Sequence, residues 1–65
     1  MDPIIPDRET AKRNGWTHQV QWIEDGKPCF VRVKNGRAAD RWADRLRKEG
    51  SKPVVVDLVD ILQLH

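Results

Sequence analysis

His18, Cys29 and His65 are the side chains from which this chain would have to build a soft metal site or a nucleophile–base pair. A Cys–His pair works by transferring the thiol proton to imidazole, which requires hydrogen-bond reach and an open cleft. Zinc requires three or four ligands converging at tetrahedral spacing. Neither pattern is present: there is no CxxC, no HExxH, no Walker loop and no Gly-rich dinucleotide fingerprint. His18 and Cys29 fall on positions expected to be core, where a packed histidine and a thiol acting as a small hydrophobe are the simpler assignment. No catalytic residue, metal or cofactor is expected, and the chain is read as non-enzymatic.

A second chemistry is carried by arginine and lysine. The formal net charge is +2, which by itself argues for no partner. Along the chain it resolves into net −2 over residues 1–26, +6 over residues 27–52 and −2 over residues 53–65. The central block contains Lys27, Arg32, Lys34, Arg37, Arg41, Arg45, Arg47, Lys48 and Lys52. Guanidinium groups suit two-point contact with phosphate or carboxylate. That surface fits an acidic protein patch or a nucleic acid, and it also fits a solvated face that keeps a small domain soluble.

The elements that position these residues follow from punctuation and period. Asp25-Gly26 is a preferred two-residue type I′ loop, and using it as the turn pairs Glu24 with Lys27, Trp22 with Cys29, Val20 with Val31, His18 with Val33 and Trp16 with Asn35. Those residues share one, mostly apolar, side of the ribbon. Thr17, Gln19, Gln21, Ile23, Phe30, Arg32 and Lys34 occupy the other. A slip of one residue destroys this sorting, so the register is well specified.

Asn35 is a favourable N-cap and Gly50 a favourable residue just past a helix end. Between them Ala39, Trp42, Ala43 and Leu46 form a narrow apolar stripe at helical spacing. Opposite the stripe lie Arg37, Asp40, Arg41, Asp44, Arg45 and Lys48, and Asp44 is placed to reach Arg41 and Lys48. Pro53 followed by Val54-Val55-Val56-Asp57-Leu58 reads as a third strand.

Residues 1–15 read either as a frayed arm or as one or two helical turns capped by Asp7 and stopped at Asn14-Gly15. Val59 to His65 fits a short helix or a continued strand. Its apolar residues either wrap back onto the core or pair, as an edge strand, with a second copy or a partner.

A 65-residue chain with 38% apolar residues holds one small core. The fold class is α+β: a β-hairpin, one helix and a third strand (β-β-α-β), with residues 16–65 as a single domain and residues 1–15 as an arm. The third strand runs antiparallel to the first or parallel to the second, and one sheet face is left without a helix. One Cys excludes an internal disulfide. No apolar run spans a bilayer and Met1-Asp2-Pro3 does not open a signal peptide, so a cytoplasmic protein with no membrane partner is expected.

The stretch Cys29-Phe30-Val31-Arg32-Val33, Ala39, Trp42-Ala43, Leu46-Arg47-Lys48-Glu49-Gly50 and Val54-Val55-Val56 is similar to one β-α-β half of a SPOR-type peptidoglycan-binding repeat, over less than half of the chain. The order of polar arm, hairpin, helix and strand resembles the small RNA-polymerase inhibitors of T-odd coliphages. These resemblances imply a compact accessory protein of phage or mobile-element type.

The expected function is therefore a protein-interaction module with a partner of acidic character. Its candidate contacts are the helix residues Arg37, Arg41, Arg45 and Lys48, or Ile23, Phe30, Arg32 and Lys34 on the open sheet. The alternative is nucleic-acid binding through the basic helix and second strand. Homodimerisation through the C-terminal segment is compatible with either.

Overall fold

The Asp25-Gly26 turn forms as its sequence requires: Asp25 and Gly26 both have positive φ, 50° and 76°, the twist that a two-residue hairpin needs. A computed structural model describes residues 4–64 of the chain. It contains α1 (Arg8–Asn14), β1 (His18–Glu24), β2 (Lys27–Val33), α2 (Gly36–Lys48), β3 (Val54–Asp57) and α3 (Leu58–Ile61). The expected β-β-α-β unit is present in this α+β fold, flanked by α1 and α3. No helix among the described residues is long and apolar enough to cross a membrane.

β1 and β2 pair antiparallel in the expected register from Glu24↔Lys27 to His18↔Val33. β3 adds antiparallel to β1, with His18↔Asp57 and Val20↔Val55 among its pairs, so the strand order is β2-β1-β3. Pro28 gives the physical reason. It lies within β2 opposite Ile23, and a strand containing proline lacks a ladder donor and belongs at an edge. β1 is left as the strand with two usable sides.

α2 crosses over the sheet and touches all three strands. Its stripe meets the face carrying Val20, Val33, Trp22 and Val31, and the centre of the core is Val20, Val33, Ala39 and Leu46. The small alanines let the helix approach closely. The indoles of Trp22 and Trp42 stack at 6.4 Å with 21° between their planes, closing the core at the hairpin end.

Each helix is capped at both ends by local chemistry. The Thr10, Ala38 and Asp60 N–H groups donate to the side chains of Asp7, Asn35 and Asp57 at 3.1, 2.8 and 3.2 Å, satisfying donors that have no partner within the helix. At the other ends, Trp16 donates to the Ala11 carbonyl, Ser51 to Leu46 and Leu64 to Val59, the six-to-one bond of a Schellman motif. Gly15 and Gly50 supply the left-handed residue for α1 and α2, with φ of 72° and 89°, and Gln63 does so for α3.

Three expectations are corrected and one alternative is decided. Trp16 does not face Asn35 in the α2-side layer: the ladder ends at His18, and Thr17 donates its N–H to the Val33 carbonyl, whose registered partner is His18. The chain bends there and Trp16 passes to the other side of the sheet. The arm, read as frayed or as helical turns, takes the helical alternative over 8–14, with Asp7 and Gly15 as its caps and buried Ala11 as its anchor. The sheet's second face is not open along its whole length, since the N-terminal segment crosses it. On α2, Asp44 pairs with Arg47 at 3.2 Å and Arg45 approaches Glu49 at 3.9 Å, in place of Asp44 with Arg41 and Lys48.

Leu46→Ala should cost about 2–5 kcal/mol, a large share of the roughly 3–10 kcal/mol available to a domain of this size, and urea denaturation should show a midpoint lowered in the same proportion. The hydrogen bonds from Thr10, its hydroxyl first and then its N–H, hold the Asp7 carboxyl below the usual carboxylate range. A depressed folded value means that the cap is intact above the ordinary carboxylate pKa and is lost as pH falls through the depressed one. Protection factors of the α1 amides, corrected for the intrinsic pH dependence of exchange, should therefore fall on acidification, and Asp7→Ala should abolish that fall.

Candidate functional site

The sheet's second face is built from three rows set by the register. Gln19 lies between Arg32 and Val56, Gln21 between Phe30 and Val54, and Ile23 opposite Pro28. The first row is covered. Gln19 is 0% exposed, and its carboxamide is fully bonded: Nε2 donates to the Ile4 carbonyl at 2.7 Å and to Gln21 Oε1 at 3.1 Å, while Oε1 accepts from Arg32 Nε at 2.9 Å.

Arg32 is committed within this row. Its guanidinium lies 4.5 Å from the Phe30 ring centroid and 5.1 Å from that of Trp16, a cation held over two aromatic faces. Its charge is therefore partly used inside the fold. Beyond the end of β2, Lys34 is exposed.

The other two rows are open. Ile23 is 49%, Phe30 41% and Val54 55% exposed. With Pro28 they make an apolar surface at the hairpin end of the face. Lys52 borders it across a shallow cleft shared with Gln21, Trp22, Ile23 and Val54. Val54 and Lys52 were not among the residues expected here, because placing them requires knowing that β3 pairs with β1.

Arg37, Arg41, Arg45 and Lys48 are exposed on α2, which packs against the opposite face of the sheet. Among the described residues, Arg37, Arg41 and Lys48 have no carboxylate within 4.0 Å, whereas Arg45 shares Glu49. The fold thus divides the expected contacts into two surfaces, one apolar and one basic, separated by the thickness of the sheet.

His18 and Cys29 lie on the α2 side, at ladder positions 18↔33 and 22↔29. Four residues of strand separate those positions, about 13 Å. His18 Nδ1 is 2.8 Å from Thr17 Oγ1, and the Cys29 thiol points to the Lys27 carbonyl at 3.8 Å. Among the described residues no three His, Cys, Asp or Glu side chains converge as a metal site. His65 lies outside the described residues.

The C-terminal segment is helical from Leu58 to Ile61, so its residues do not extend β3. Leu58 is buried, and Val59 and Leu64 line a cleft with Ala11, Trp16 and Thr17. Ile61 is exposed.

The chain matches no protein-family model, no curated protein and no solved structure, so its functional reading rests on this geometry.

Replacing Gln19 by Leu leaves the Arg32 Nε–H and the Ile4 carbonyl without their shared partner, at a cost of about 1–3 kcal/mol. Trypsin should then cut after Arg8, Lys12 and Arg13 faster than in the parent chain. Equal cleavage rates would show that Gln19 does not hold the segment.

Proposed function

We propose that the chain is a small non-enzymatic protein-interaction module, an accessory protein of phage type, that receives a partner protein on the open half of the sheet's second face. One observation carries this reading: Ile23, Phe30 and Val54, three large apolar side chains that are each 41–55% exposed, lie together on one sheet face. The chain covers the neighbouring row with its own N-terminal segment. Contiguous exposed apolar surface with a polar margin is the usual mark of a contact site. Lys52 at that margin favours a partner with acidic residues beside its apolar ones.

A second reading has its own observation. Arg37, Arg41 and Lys48 form an exposed stripe without carboxylate partners among the described residues, as nucleic-acid phosphates require. This surface lies on the far side of the sheet from the first, so the two readings separate by mutation.

Pull-down with and without nuclease should show a specific protein retained by the parent chain and by Arg41→Glu/Arg45→Glu, and lost with Ile23→Glu/Phe30→Glu. The reverse pattern, with affinity falling steeply as salt rises, would assign the basic helix and nucleic acid instead.

A further inference from the structure

β3 is a short strand with apolar residues on both faces, the pattern of a strand covered on both. Among the described residues it has a strand neighbour on one side only. Val54 is 55% exposed on the second face and Val55 39% exposed on the α2 face.

The backbone groups at its free edge follow from the hairpin. In a two-residue loop the flanking pair, Glu24↔Lys27, exchanges hydrogen bonds. Val20 and Trp22 therefore direct their N–H and C=O groups to β2, and Gln19 and Gln21 direct theirs to β3. The Leu58 N–H donates to the Thr17 carbonyl at 2.9 Å, in the same phase. Val54 and Val56, registered with Gln21 and Gln19, are thus tied to β1. The N–H and C=O groups of Val55 and Asp57 point away from the sheet, as does the Pro53 carbonyl. The other edge is guarded: by the same alternation Pro28 has its missing donor on the outer side of β2, and Lys27 and Lys34 flank that strand.

We propose that two copies of this chain pair β3 to β3, antiparallel, about a two-fold axis through Val55, joining two three-stranded sheets into one of six strands. In this register each Val55 N–H donates to the other copy's Val55 carbonyl, and each Asp57 N–H donates to the other copy's Pro53 carbonyl. Pro53 needs no N–H to take part. Shifting the axis to Val54 would set the Val55 N–H against Pro53, which returns no donor. Shifting it to Val56 would set Asp57 against Val55 and run the pairing into α3.

The side chains agree with that register. Val55 meets Val55 on the α2 face and Val54 meets Val56 on the second face, extending apolar contact across the axis. The strand is also self-complementary in charge, with Lys52 just before it and Asp57 at its end. An antiparallel two-fold places the Lys52 end of one copy beside the Asp57 end of the other. The basic α2 helices fall on the same side of the joined sheet. The two β1 strands beneath them are three strand spacings apart, about 14 Å. Association also answers a deficit in the monomer: of the eight buried apolar residues among those described, three are alanine, and small domains commonly gain stability by oligomerising.

This dimer is independent of the partner-binding reading, and the test separates them. Sedimentation equilibrium of the full chain at millimolar concentration should give twice the 7.6 kDa chain mass. Val55→Lys, which sets two ammonium groups face to face on the axis, should give the single-chain mass with unchanged circular dichroism. Ile23→Glu/Phe30→Glu should remain dimeric. Amide exchange of Val55 and Asp57 in the parent chain should slow as concentration rises, a readout that needs no variant. A monomeric parent chain, a dimer that survives Val55→Lys, or a mass halved by Ile23→Glu/Phe30→Glu would each overturn the proposal.

Discussion

A carboxamide removed from water must find partners for two donors and an acceptor, or the fold loses the desolvation cost of each. Gln19 is in that position near the start of the central strand β1, and its three hydrogen bonds reach Ile4, Gln21 and Arg32. It is the one polar side chain fully buried among the described residues. By meeting its own requirement it draws the N-terminal segment across the sheet, holds Arg32 against Phe30 and Trp16, and leaves the hairpin end of the same face uncovered. The boundary between the closed and open halves of that face therefore lies at a single residue's hydrogen-bonding demand.

The two faces of the sheet follow different physics. On the α2 side, non-directional apolar packing dominates, with Val20, Val33, Ala39 and Leu46 at the centre and the Trp22–Trp42 stack at the rim. On the other side, directional contacts dominate: a bonded amide, a cation over two rings and a backbone carbonyl from the arm. The first arrangement holds α2 to the sheet. The second decides which apolar and charged groups remain available to a partner, and it withdraws Arg32 while leaving Ile23, Phe30 and Val54.

Much of the fold was legible because its determinants are local. Asp25-Gly26 fixes a turn, and a turn of known length fixes every pair in the hairpin, so His18↔Val33 and Trp22↔Cys29 could be written from residue order. Asp7, Asn35 and the glycines at 15 and 50 state helix ends through short-range hydrogen bonds. Pro28 fits the edge position that β2 takes, its missing N–H lying on the outer side, but residue order left open which strand β3 joins. Trp16 was misplaced because alternation was extended past His18, where Thr17 bends the chain. The Asp44 ion pair was misassigned because exposed residues three and four positions apart have nearly equal reach.

The candidate contacts show the same division. The residue types on the ribbon's second side, and the stripe of Arg37, Arg41, Arg45 and Lys48, follow from periods of two and 3.6 residues acting within one element. Residue order alone thus determined the hairpin register, the limits of α2, the amphipathic faces and the −2, +6, −2 charge pattern. Only the tertiary structure decided that β3 lies beside β1, that Ile4 covers Gln19, that Arg32 is held while Val54 is free, and that the apolar and basic surfaces face opposite ways. Each of these depends on contacts between residues distant in the chain. Such contacts form where several weak preferences are satisfied together, and no local spacing encodes that joint solution.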